Sequence, residues 1–362
     1  MSVERLEPFP DRRQELRAAI IGVTVVVLAA VIGLMWAKWL PYLGKVQSLA
    51  DTRTWSGSPI FSSAGTAGAA PSISGAWQFA LDYFTAVWKA LVVAIVVAAG
   101  IDALVPRRWL LALLARRTTA GQALAAGAAS MPSMMCTCCT APVAVGLRRR
   151  GVPRAAAIAY WLGNPLLNPA VLVFLALVLP WPYVAVRAVL GLALVVGVSA
   201  LLARLFDRGP VPAEDVLPDA ATPQDLTLRD LPGRYLRSLL RFAVVLVPEY
   251  AVVVLGLGLV SATFSDFGGL AGRLGVLAVL VVAALAMLLV IPTGGEIPVI
   301  VAALAAGAGT GVAGVLLIAL PALSLPSMVM VGRALGWRVT WACAAAVTVV
   351  ALLGGGLLTA LS

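Results

Sequence analysis

Apolar runs bounded by charges, Pro or Gly recur along the chain. They fall near 18–40, 76–105, 118–134, 155–179, 183–205, 236–263, 272–291, 311–332 and 338–361. Two further runs, 138–147 and 296–306, are too short to cross a bilayer, since a spanning helix needs about 20 residues. Each follows a longer run, so 118–134 with 138–147, and 272–291 with 296–306, read as two re-entrant broken-helix hairpins. The other runs predict about seven full spans in an all-α polytopic membrane protein. Two stretches lack this pattern. Residues 41–75 are rich in Ser, Gly and Thr, and 207–233 ("DRGPVPAEDVLPDAATPQDLTLRDLPG") are acidic and Pro-rich.

A shift of 156 positions superposes Pro142 on Pro298, Gly151 on Gly307 and Pro165 on Pro321, with Val143 and Val145 on Val299 and Val301. The chain therefore reads as a duplication. Repeat 1 covers 76–206 and repeat 2 covers 234–362, with 18–40 as an extra transmembrane helix outside both. Arginines orient the two copies, because cytoplasmic loops collect Arg and Lys. Arg107, Arg108, Arg116, Arg117, Arg148, Arg149, Arg150, Arg154, Arg204 and Arg208 all fall on one side only if the first hairpin enters and leaves there. The second hairpin has few charges beside it. The prediction is an inverted-topology repeat, with 1–17 and 207–233 cytoplasmic and 41–75 an external loop.

Composition agrees. The chain is 61% hydrophobic and 12% charged, against about 25% charge in soluble domains. A net charge of +10 would suggest nucleic acid in a soluble chain, but these arginines sit at span ends, so no nucleic-acid partner is expected; the bilayer is. "MSVERLEPFPDRRQELR" lacks a small-residue cleavage site, so the first run is expected to be retained. There is no histidine, hence no imidazole metal ligand or proton shuttle. No phosphate-binding glycine loop suggests direct use of ATP. Four cysteines do not make a disulfide framework, and no cofactor is expected.

The chemistry gathers at the hairpin tips. "MCTCCTAP" places Cys136, Cys138 and Cys139 just ahead of Thr140 and Pro142, and "TGGEIP" gives the second tip Thr293, Glu296 and Pro298. Thr140 reads as a helix N-cap with Pro in the first turn, and Glu296 takes the same place in the second copy. Such a helix start turns its positive end inward and favours thiolate, the form that binds soft metals and metalloids. Cys136, Cys138 and Cys139 are thus candidate ligands of a soft solute or metal. The alternative is that buried cysteines act only as small hydrophobes, which is the reading for Cys343. Asn164 and Asn168 flank a proline kink in "GNPLLNP", and the second copy has Ser324 and Ser327 around Pro321 and Pro326. They either line a path or satisfy kinked backbone. Glu249 lies near mid-span, where a carboxylate is by default functional. Glu249 and Glu296 are the candidate proton-coupling groups, with pairing of Glu249 to Arg241 or Lys89 as the alternative. Asp82 and Asp102 sit near span ends and read as solvated charges.

The pattern C-T-C-C-x-x-P, followed by Gly151 and by Pro165, Asn168 and Pro169, resembles the predicted-permease family that includes the ArsP exporters of trivalent organoarsenicals, the YraQ-like permeases. The resemblance runs from about residue 76 to the C-terminus, with "ALPALSLPS" as a second signature. It implies a bacterial inner-membrane, multi-pass permease, not an enzyme, in which Cys136 and Cys138 handle trivalent arsenic. The chain departs from the usual tip by carrying Cys139 where Gly is expected. The favoured function is efflux of a thiol-reactive solute by secondary active transport. A transmembrane thiol–disulfide oxidoreductase and a permease for an unrelated solute are the alternatives.

Overall fold

A computed structural model describes residues 12–55, 72–206, 229–264, 283–287 and 289–362. All regular structure among them is helical. Helix α1 (Arg12–Leu34) runs through a widened π-turn, Met35–Trp39, into α2 (Leu40–Thr52). The π-turn stands directly before Pro41, whose ring and missing N–H would otherwise break the helix. The first span therefore continues to Thr52, into the stretch expected to be loop.

Then come α3 (Ile73–Ala103), α4 (Arg107–Leu114), α5 (Thr119–Ser130), α6 (Thr137–Arg149), α7 (Arg154–Leu166) and α8 (Pro169–Val178). They are followed by α9 (Trp181–Leu192), α10 (Ser199–Phe206) and α11 (Leu231–Phe264). The chain closes with α12 (Glu296–Ala305), α13 (Thr310–Ala322), α14 (Leu325–Leu335) and α15 (Trp337–Leu361). Among the described residues six helical stretches are long and apolar enough to cross a membrane, and α13 with α14, bent by 52°, makes a seventh if counted as one. They fall on the runs predicted to span. Large apolar side chains such as Ile32, Val244, Val252 and Trp341 point outward, as a lipid-facing surface requires. Most of the predicted arm 272–291, and most of the linker 207–233, lie outside the described residues.

The shift of 156 carries Arg154–Leu166 onto Thr310–Ala322, and the start of α8 and of α9 onto those of α14 and α15. Equivalent local devices recur at these joints. Gly151 and Gly307 both hold left-handed backbone, φ 76° and 86°, where a glycine ends each short helix and turns the chain. Asn168 caps α8, its Oδ1 accepting from Ala170 and Val171 N–H at 3.1 and 3.3 Å. Ser324 opens α14, its N–H donating to Ser327 Oγ at 3.2 Å while that hydroxyl donates to the Ser324 carbonyl at 2.8 Å.

The short helices α5 and α6, of 12 and 13 residues, part at Met134, which takes left-handed backbone at φ 48°. Their arms flank α7: α5 lies along it on one side, while α6 sits among α3, α7 and α14. The approach of α5 to α7 is close because both surfaces carry glycine. A Cβ on Gly163 would meet Gly127 Cα at 3.1 Å, the small-residue packing that holds membrane helices together.

Candidate functional site

The first tip unwinds over Met134–Cys136 and α6 begins at Thr137, with Cys136 as the extended N-cap residue. The predicted cap, Thr140, is instead inside the first turn. Its hydroxyl donates to the Thr137 and Cys136 carbonyls at 2.9 and 3.2 Å, and it is fully buried. Asn164 fixes the tip from α7, its Oδ1 accepting from Met135 N–H at 2.7 Å while its amide donates to Ser133 Oγ. An unwound backbone at this depth needs such a partner, because no water supplies one.

The three thiols are buried and free. Cys136 Sγ lies 3.3 Å from Cys139 Sγ, since Cys136 stands just off the helix and Cys139 lies one turn along it. Cys138 also hydrogen-bonds with the Cys136 thiol, and its Sγ lies 3.0 Å from Ser324 Oγ in the second half. Tyr83 donates to the same sulfur at 3.8 Å, and Tyr250 donates to Tyr83 at 2.8 Å. Among the described residues no three Cys, Asp or Glu side chains converge as a metal ion requires. Cys136, Cys138 and Cys139, the expected metal set, do not form such a group, although the Cys136 thiol neighbours both of the others.

The second tip faces the first. A small cavity of about 10 Å³, space for roughly one water, is lined by Cys136, Thr137, Thr293, Glu296 and Ser324 among others. Thr293 is among its lining residues. Glu296 is the first residue of α12 rather than its cap. It accepts from Arg187 Nη2 at 2.9 Å, with both side chains buried. Arg187 also donates to the carbonyls of Pro165, Leu166 and Leu317, at 2.8, 2.9 and 2.8 Å. Proline kinks leave such carbonyls without helix partners, and one guanidinium gathers three of them.

Asn168 stays on its cap rather than in the cavity, and its Nδ2 has no hydrogen-bond partner. Glu249 forms an ion pair with Arg333 at 3.1 Å, neither Arg241 nor Lys89 being the partner. Asp102 is paired rather than solvated, 3.6 Å from Arg149 and accepting from Ser238 at 2.7 Å. Cys343 is wholly buried in α15.

Four residues of the site escape the sequence reading: Lys38, Tyr83, Arg187 and Tyr250. Arg187 carries the same signal as Glu249, a charge in mid-span, and was findable. Lys38 looks like a span-end lysine until the helix is seen to continue beyond it. The tyrosines have no signal apart from the fold.

Helices of spanning length around a small buried polar centre define a multi-span membrane permease. The chain matches the ArsP predicted-permease family over residues 72–360 and belongs to it. It is also similar to the UPF0718 protein YraQ of Escherichia coli strain K12, 37% identical over 337 residues, which cover 91% of this chain and 92% of that protein. No solved structure matches it.

Proposed function

We propose that the chain is a secondary-active exporter of a soft, thiol-reactive solute, trivalent (organo)arsenic above all, in the bacterial plasma membrane. The two halves are taken as inverted copies that rock about the cysteine tip. The observation that carries this reading is the cavity whose walls alternate between halves: Cys136 and Thr137 from one, Thr293, Glu296 and Ser324 from the other. A site built from two bodies changes its exposure when they move against each other, as broken-helix transporters do. The Cys136–Cys139 pair receives the soft atom, and Cys138 with Ser324 reports the closure of the halves. Proton coupling falls to Glu296 and Glu249. A proton on either carboxylate breaks an ion pair, with Arg187 or with Arg333, and so changes which helices are tied together.

The test is uptake into everted vesicles across arsenicals, antimonials and soft metal ions, with and without a proton gradient. Cys136→Ser abolishes arsenical uptake and resistance in an arsenic-sensitive host on this reading; unchanged resistance rejects it.

One observation favours a second reading. Cys136 and Cys139 have the C-x-x-C spacing at a helix N-terminus, with sulfurs 3.3 Å apart, as thiol–disulfide exchange requires. Trapping a mixed disulfide between Cys136 and a soluble thiol protein, in a Cys139→Ser variant, supports that oxidoreductase. Membership of a permease family and the lack of a cysteine at the second tip favour transport.

A further inference from the structure

One buried charge near the cavity has no carboxylate partner among the described residues. Arg187 and Glu296 neutralise each other, but Lys38 from the N-terminal helix is also buried, 7% exposed. Its ammonium donates to Thr293 Oγ1 at 3.1 Å and to Tyr42 OH at 2.9 Å, and stands over the Tyr42 ring at 5.1 Å. Both hydrogen-bond partners are neutral. Among the described residues no carboxylate lies within salt-bridge reach of it; its electrostatic partners are Tyr42 and the Cys136 and Cys139 thiols, so once a soft atom takes up the Cys136 sulfur its positive charge has no counter-charge beside the cavity. A buried cation without a counter-charge is expensive. The start of α12 faces the same cavity through Thr293 and Glu296, and it adds to the positive potential.

The helix that brings Lys38 is fastened to both tips. Trp39 Nε1 donates to the Pro132 carbonyl at 2.7 Å and Tyr42 OH to the Met134 carbonyl at 3.5 Å, on the first tip, while Lys38 itself holds Thr293 on the second. Residues 12–52 lie outside the region, 72–360, that the family model covers, while the similarity to YraQ, over 91% of this chain, reaches into that helix.

We propose that Lys38, with Tyr42 and Thr293, forms an anion-recognising subsite beside the thiols, and that the solute it suits is thiol-reactive and carries an anionic group. The soft atom of such a solute meets Cys136 while its acidic oxygen supplies the missing counter-charge at Lys38. An uncharged solute of the same size leaves that cation unpaired. This rests on the thiols being the cargo site, but it is tested without any arsenical.

Full-length protein in nanodiscs is reacted with two methanethiosulfonates of similar size, the anionic 2-sulfonatoethyl and the cationic 2-trimethylammonioethyl reagents. In each case a thiolate attacks the thiosulfonate sulfur, a mixed disulfide forms and methanesulfinate leaves. Rates are read by intact mass, normalised to each reagent's rate with a free thiol, and assigned to Cys136 by comparison with Cys136→Ser. The wild-type protein is expected to favour the anionic reagent by roughly tenfold. Lys38→Met removes that preference and Lys38→Arg keeps it; Lys38→Gln replaces Lys38→Met if the latter does not accumulate. A wild-type ratio near one, no reaction with either reagent, or a preference unchanged in Lys38→Met overturns the proposal. Arsenical uptake without the charge preference rejects only this subsite. The preference without arsenical uptake keeps the subsite and rejects the arsenical.

Discussion

Arg187 and Glu296 meet at 2.9 Å inside the protein, one on α9 in the first half and the other at the start of α12 in the second. The guanidinium also closes the carbonyls of Pro165, Leu166 and Leu317, so a single side chain ties the kink of α7 to α13 and to the second tip. Removing one member of a buried pair strands the other, at about 3–5 kcal/mol. Arg187→Met is therefore expected to lower the thermal stability of the detergent-purified protein severely. Arg187→Met with Glu296→Leu recovers part of the loss, and equal stability of the single variant and the wild type contradicts the tie.

Asn164 holds the first tip through Met135 N–H. Asn164→Leu keeps the branched shape but orphans that donor, and a buried unmade hydrogen bond costs about 1–3 kcal/mol. The protein should still accumulate with lowered resistance to denaturant, and arsenical efflux should fall more than stability does, because the unwound backbone carries Cys136. Efflux at the wild-type rate rules this out.

Gly314 lets α13 lie against α15. A Cβ there would sit 2.5 Å from the Gly354 carbonyl oxygen, which is backbone and has no rotamer to yield. Gly314→Val pushes the helices apart and is expected to cost about 1–3 kcal/mol, as overpacking does, read as a drop in melting temperature. Glycine at 356, with open space around it, serves as control: Gly356→Ala should be neutral.

Asn168 and Ser324 begin equivalent helices but have different neighbours. Each loses a cap on substitution by Ala, worth about 1 kcal/mol. Only Ser324 lines the cavity and touches Cys138 at 3.0 Å, so Ser324→Ala should reduce efflux where Asn168→Ala only destabilises. Equal efflux losses in the two variants would remove Ser324 from the site.

Glu249 pairs with Arg333, whose side chain is 61% exposed, and pairs open at one end contribute at most about 1 kcal/mol. Glu249→Gln should leave thermal stability almost unchanged while weakening the response of efflux to a proton gradient. A gradient response like that of the wild type assigns coupling to Glu296 alone.

Apolar run lengths and the Pro/Gly positions were enough to read the six to seven spanning stretches and the matched helix starts, because bilayer thickness and missing N–H groups act locally. The helices at Arg154 and Thr310 begin 156 positions apart, in the register that Pro165 and Pro321 predict. The sulfur cluster was legible for the same reason. Partners across the fold were not. That Cys139 belongs with Cys136, and Cys138 with Ser324, depends on α6 starting at Thr137 rather than at Thr140. That Lys38 reaches Thr293 depends on a π-turn carrying the first helix past Pro41. Both are decided by packing between elements far apart in sequence.

The cavity between the tips has space for about one water. A chain of waters through a membrane conducts protons and dissipates the electrical gradient that drives every other transporter beside it. A centre this tight leaves no room for such a file between the tips.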